Sequence, residues 1–226
     1  MRLSLSVRVA ESFSNKRVVR IPLSQLAEIA SNAGYDALCL RASMLGIHDS
    51  SEKVEEVKEI ITSHRLAVSM VTGDFAVPEN GDDGPGCLRN ITPYLDLASA
   101  VGADLIRICM KTEDDIAWAA KASDEASERG IRLAHQSHTL SLFETVQATT
   151  DTVRAVDRDN FGVIYEPANL ALCGQDYGPT TIAAYLPFLF NVYLQNHVPE
   201  AGGPQPMRTW CQGEIESRLY PLDSGK

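Results

Sequence analysis

Several apolar runs in this 226-residue sequence end in side chains that can do chemistry. Glu166 closes the run Phe161-Gly-Val-Ile-Tyr165 and stands directly before Pro167-Ala168-Asn169. A second run ends in His135-Gln136-Ser137-His138, and a third in Tyr193, Gln195, Asn196 and His197. Arg107 lies inside Leu-Ile-Arg-Ile-Cys109. A carboxylate placed so is suited to general-base work or to holding a cation. An arginine grips an anionic or hydroxyl-rich ligand, while His138 and Gln136 bind ligand oxygens. Each residue also has a plainer reading. Glu166 can cap the segment after it, His138 can be an exposed loop histidine, Tyr193 can fill volume, and His135 faces the helices as a structural residue. Arg107 in so apolar a setting calls for an acid partner or an anion. Trp118 and Trp210 read as packing or loop anchors.

Such residues need strand ends to hold them, and the chain supplies strand-like runs with a period of about 30 residues, the size of a βα unit. Seven runs are visible: Leu3 to Val9, Tyr35 to Leu40, Leu66 to Val71, Asp104 to Cys109, Ile131 to Gln136, Phe161 to Glu166 and Phe190 to Gln195. Amphipathic stretches lie between them. Leu23, Leu26, Ala27 and Ala30 share one helical face, as do Val54, Val57 and Ile61. Asp49 with Glu52, and Ser141 with Glu144, have capping-box spacing. Gly34, Gly102 and Gly130 fall where three helices should hand over to strands in a left-handed turn.

Strand-helix alternation implies parallel strands, in an open doubly wound sheet or most of a barrel. An open nucleotide-binding sheet would carry a Gly-rich turn after its first strand, and Val9 to Asn15 contains no glycine. In either case the site lies at the C-terminal strand ends. Alternation puts Gln136 with His138 on one face, and Tyr193 with Gln195 and His197 on one face, pointing inward. Barrel interiors are filled by Val, Ile and Leu, so clustered inward polar groups point to a site.

Composition narrows the function classes. The net charge of −10 opposes nucleic acid and anionic membrane surfaces. No run approaches the roughly 18 apolar residues of a membrane helix, and the alternating N-terminus is not a signal peptide. Five cysteines, Cys39, Cys87, Cys109, Cys173 and Cys211, show no C-x-x-C pair. A reduced, cytoplasmic setting is expected.

The same stretches resemble the sugar phosphate isomerase/epimerase group of the xylose-isomerase-like barrels. Gly34-Tyr-Asp-Ala-Leu-Cys-Leu-Arg41 is similar to that group's second strand, and Gly102 to Arg107 to its fourth. Leu133 to Thr145 is similar to the fifth, Tyr165 to Leu170 to the sixth, and Val192 to Asn196 to the seventh. The resemblance covers nearly the whole chain in order. It implies an α/β fold, a (β/α)8-type TIM barrel of parallel strands with about seven βα units visible, as one domain over residues 1–226. The segment Pro199 to Pro206 has loop composition, and no helix followed by a strand fits after it, so the eighth unit is expected to be missing and the chain truncated.

By function the resemblance implies an isomerase or epimerase of carbohydrate metabolism. Its substrate would be a sugar, sugar phosphate or keto-polyol, turned over by proton transfer next to a carbonyl. Carried over by position, Glu166, His138 and Arg107 would be catalytic, and Gln136, Asn169, Tyr193 and Gln195 would bind substrate. Relatives hold a divalent metal (Mn, Mg or Co). Here Glu166 and Gln136 would hold it, although Gln136 stands for a Glu, Glu166 for an Asp and Tyr193 for a His, and a final Glu has no counterpart. The expected partner is a small-molecule carbohydrate, with no nucleic acid and no membrane, and with room for a homo-oligomer. The competing reading is a non-catalytic, carbohydrate-binding or degenerate barrel that has lost its metal ligands. Repair of abasic DNA, a third activity of this barrel, needs a His-rich metal cluster and fits the charge poorly. The long segment Thr72 to Gly86 reads as a lid or as a solvated turn.

Overall fold

The computed structural model describes residues 2–224. Two compact units arise along the chain, one from residues 1–108 with 124–133, the other from residues 109–123 with 134–226. The seven strands of the main sheet lie in chain order.

In the first unit β1 (Ser4–Ser6) leads into a 3-10 turn, Val7–Ala10. There follow α1 (Leu23–Asn32), β2 (Ala37–Leu40), α2 (Ser51–Ser63) and β3 (Ala67–Val71). Two short helical turns, α3 (Ala76–Glu79) and α4 (Gly86–Arg89), precede α5 (Thr92–Val101) and β4 (Leu105–Ile108). Pairing is parallel, with Leu5 opposite Leu38, Leu40 opposite Val71 and Val71 opposite Ile106. Both faces of β2 are buried, as a parallel strand between helices requires. On α1 the buried residues are Leu23, Leu26, Ala27 and Ala30, the stripe its periodicity predicts. Gly34 and Gly102 both take positive φ, +82° and +71°, where the chain leaves α1 and α5.

Ser50, rather than Asp49, caps α2, its hydroxyl accepting from the Lys53 amide. Asp49 instead accepts from the Gly46 amide. The segment Thr72 to Gly86 is more than a solvated turn. Val77, Pro78 and Asn80 are buried along it, and Asp74 accepts from the Val77 amide and the Tyr94 hydroxyl. Burial first, then that bond to Asp74, pushes the Tyr94 phenol up.

The helix α6 (Asp114–Ser127) and the strand β5 (Arg132–Gln136) each contribute to both units. The second unit continues with α7 (Val146–Val156), β6 (Phe161–Tyr165), α8 (Pro167–Leu172), α9 (Pro179–Tyr185) and β7 (Leu189–Val192). Its core holds Phe143, Phe161, Val163, Ile164, Leu170 and Tyr185. Among the described residues, seven parallel strands stand where the apolar runs foretold them, the first six each followed by a helix.

The end of the chain departs from that reading. Beyond β7 it forms β8 (Asn196–Pro199), β9 (Gln205–Thr209) and β10 (Gly213–Tyr220), an antiparallel sheet in the order β8-β10-β9. The seventh strand ends at Val192 rather than Gln195. His197 therefore does not share a face with Tyr193 and Gln195. It sits in β8, buried, with Nε2 2.7 Å from the Ser217 hydroxyl of β10. Val192 and Leu194 are exposed. Among the described residues no helix is long and apolar enough to cross a membrane.

Candidate functional site

Glu166 follows the last residue of β6 and N-caps α8 with its backbone, Pro167 occupying the first helical turn. Its side chain makes no capping bond; it is buried instead among amides. Oε2 of Glu166 accepts from the Gln136 amide nitrogen at the end of β5. The same oxygen accepts from Asn169 Nδ2 at 2.5 Å. Asn169 also donates to the Ser137 carbonyl at 2.8 Å, and the Ser137 amide donates to Ile164 of β6 at 2.9 Å. Two neighbouring strand ends and the first turn of a helix thus fix one carboxylate. The amides of Gln136 and Asn169 thereby orient the carboxylate. The Gln136 carbonyl oxygen, Oε1, is buried with no protein hydrogen-bond partner. A buried orphan acceptor carries a cost of about 1–3 kcal/mol, which a ligand hydroxyl would relieve.

The other expected residues fall into three places. His138 lies half-buried just past β5, with Nδ1 2.9 Å from the Thr139 carbonyl. Tyr193 is half-buried beyond β7, its amide donating to the Tyr165 carbonyl at 2.8 Å. Gln195 is exposed. Arg107 lies in β4, buried, in the first unit. His135, assigned to structure, is buried and stacks on Phe143 at 4.1 Å between ring centroids.

Sequence reasoning missed Glu144. The capping box with Ser141 does not form: α7 begins at Val146 and is capped by Thr145, whose hydroxyl accepts from the Ala148 amide. Ser141 donates to the His138 carbonyl and accepts from the Phe143 amide. Glu144 is buried and takes backbone N–H groups from Leu140, Trp210 and Cys211. It thereby ties the β9–β10 turn to the loop after β5. The ligand atoms of Glu144, Cys173 and Cys211 lie within 4.8 Å of one another. That carboxylate's lone pairs are already occupied. Burial, then Glu144, holds the Cys211 thiol up, and burial chiefly holds the Cys173 thiol up, so neither is poised as a thiolate.

A divalent ion between Gln136 and Glu166 fits poorly as well. Hard cations want several oxygens with carboxylate charge among them. This pair brings one negative charge, and Gln136 turns its nitrogen, not its oxygen, to Glu166.

A family model described as xylose isomerase-like TIM barrel matches residues 27–225. The chain belongs to that family. No curated protein matches it by sequence. Among solved structures, the probable 3-DHS dehydratase AsbF of Bacillus anthracis is similar at 14% identity and TM-score 0.69, over 87% of this chain and 73% of that one. A xylose isomerase-like TIM barrel protein from Mycobacterium smegmatis, in complex with magnesium, is similar at 16% identity and TM-score 0.68, over 99% and 82%. The D-allulose 3-epimerase of Methylomonas sp., in complex with D-allulose, is similar at 14% identity and TM-score 0.66, over 87% and 72%. At such identities these likenesses speak for the fold.

Proposed function

We propose that this xylose isomerase-like chain isomerises or epimerises a small carbohydrate, a sugar or keto-polyol, by moving a proton at the carbon next to a carbonyl. The observation that carries this is the buried Glu166 carboxylate, fixed at two strand ends by the amides of Gln136 and Asn169. Glu166 removes the proton as general base, a role worth about 10²–10⁴-fold in rate. His138 is its acid–base partner and returns the proton. The unpartnered Gln136 Oε1 accepts a substrate hydroxyl, and Tyr193 and Gln195 make further substrate contacts. Similarity to an epimerase holding D-allulose supports a carbohydrate as ligand. No step passes through Mn, Mg or Co, since Gln136 and Glu166 together bring one negative charge. The five free cysteines fit a reducing compartment, the cytoplasm.

The test is exchange of substrate carbon-bound hydrogen in D2O, followed by NMR across a panel of ketoses, aldoses and keto sugar acids. The expected result is exchange that Glu166→Gln slows by about 100-fold or more. Exchange untouched by that substitution would sink the assignment.

One observation favours a second reading, a binding barrel without turnover. Gln136 ties up Glu166, at a position where the family resemblance implies a second acid. That reading expects calorimetric binding of a sugar with no exchange, and any turnover ends it.

A further inference from the structure

In the first unit, cations gather around one buried carboxylate, Glu11. Arg41 follows β2 directly, and its Nε donates to Glu11 Oε1 at 2.8 Å, both side chains nearly solvent-free. The Ser43 hydroxyl donates to the same oxygen at 2.7 Å. Arg8 approaches the other Glu11 oxygen at 3.6 Å, while its guanidinium also donates to the Ser12 and Phe13 carbonyls. Lys16, half-buried, donates to the Pro78 carbonyl at 3.3 Å. Burial, then the positive charges of Arg41, Arg107 and Arg8, hold the Lys16 ammonium below its usual pKa, with Glu11 opposing them only in part. Arg41, Arg8 and Lys16 thus face one carboxylate, Glu11, in a chain whose net charge is −10.

Burying a charge is costly unless it is paired and hydrogen-bonded. Glu11 meets the Nε edge of Arg41, but Arg41 NH2 is buried with no protein hydrogen-bond partner. A guanidinium presents its nitrogens as a planar fork matched to two oxygens of a carboxylate or phosphate. We infer that Arg41, with Lys16 and Arg8, forms a binding site for a small oxyanion, the phosphate or carboxylate group of a ligand. The anion accepts from Arg41 NH2 and offsets the surplus positive charge. Glu11, itself held by the Ser43 hydroxyl, fixes the guanidinium through Nε. This goes beyond the proton-transfer chemistry of Glu166 and stands or falls without it.

The full chain is titrated with sodium phosphate and, separately, sodium acetate, against sodium chloride at matched ionic strength, by calorimetry and thermal melting. Saturable binding of phosphate or acetate, above any effect of chloride, is expected. Lys16→Gln and Arg41→Lys should each weaken it about tenfold or more, as loss of a charge-assisted hydrogen bond implies. Both variants keep a route to folding, since Lys16 is half-buried and lysine retains the charge facing Glu11; their melts without anion verify it. Preference for phosphate assigns the site to a phosphorylated ligand, and preference for acetate to a carboxylate. Binding no better than chloride, or binding that both variants retain in full, overturns the inference. The readout is binding, so a chain without isomerase activity can pass and an active one can fail.

Discussion

Removing the carboxylate of Glu144 should release the C-terminal hairpin from the loop after β5. Its two oxygens accept three backbone N–H groups: Leu140 at 2.5 Å, Trp210 at 2.8 and 2.9 Å, and Cys211 at 2.9 Å. Glu144→Ala leaves all three donors without a partner, at about 1–3 kcal/mol each. Trp210 and Cys211 are exposed residues, so water reaches the gap and the total belongs near the low end, about 3–5 kcal/mol. That is a large share of the roughly 5–15 kcal/mol holding a typical domain folded. For a chain of this length it corresponds to a melting point lower by about 6–20 °C. Glu144→Gln keeps one acceptor oxygen but turns an amide nitrogen toward N–H donors, and should cost less, about 1–3 kcal/mol. Urea unfolding measures the stability, and amide hydrogen exchange shows where it was lost, with Trp210 and Cys211 exchanging faster in both variants. A stability change under about 0.5 kcal/mol in the alanine variant, with exchange at those two amides unaltered, would refute the reasoning.

Gly162 in β6 tests close packing: a Cβ there would clash with the Phe188 carbonyl oxygen and lie 2.8 Å from the Phe190 ring. Gly162→Ala should therefore destabilise by about 1–3 kcal/mol, and an unchanged urea midpoint would contradict that. His197 tests linkage. Burial holds its pKa below 6.5, so the unfolded chain takes up the proton more readily than the folded one. Its contribution is intact above about pH 6.5 and is lost as pH falls from there toward the folded pKa. His197→Gln should flatten that part of the stability-against-pH curve, and curves for the two proteins that run parallel below pH 6.5 would exclude the effect.

What the sequence by itself determined is what depends on local periodicity. Leu23, Leu26, Ala27 and Ala30 can share a face only on a helix, and they are the buried face of α1. Short apolar runs handing over at Gly34 and Gly102 dictate parallel βα repeats, because only crossover connections link them. The strand-end positions of Gln136 and Glu166 were legible for the same reason. Tertiary structure decided which partners those groups found. Nothing local distinguishes a Gln136 that turns its nitrogen to Glu166 from one that turns its oxygen there. Ser141 and Glu144 have the spacing of a cap, yet Glu144 is claimed by backbone amides 66 and 67 residues further on, where several donors together outweigh one local bond. His197 looked like the next inward residue of β7, but the strand ends at Val192 and antiparallel pairing with β10 carries it away. The Arg41–Glu11 pair spans 30 residues and was equally hidden. Periodicity is a property of neighbours along the chain, whereas a buried polar group takes whichever partner the fold brings to it.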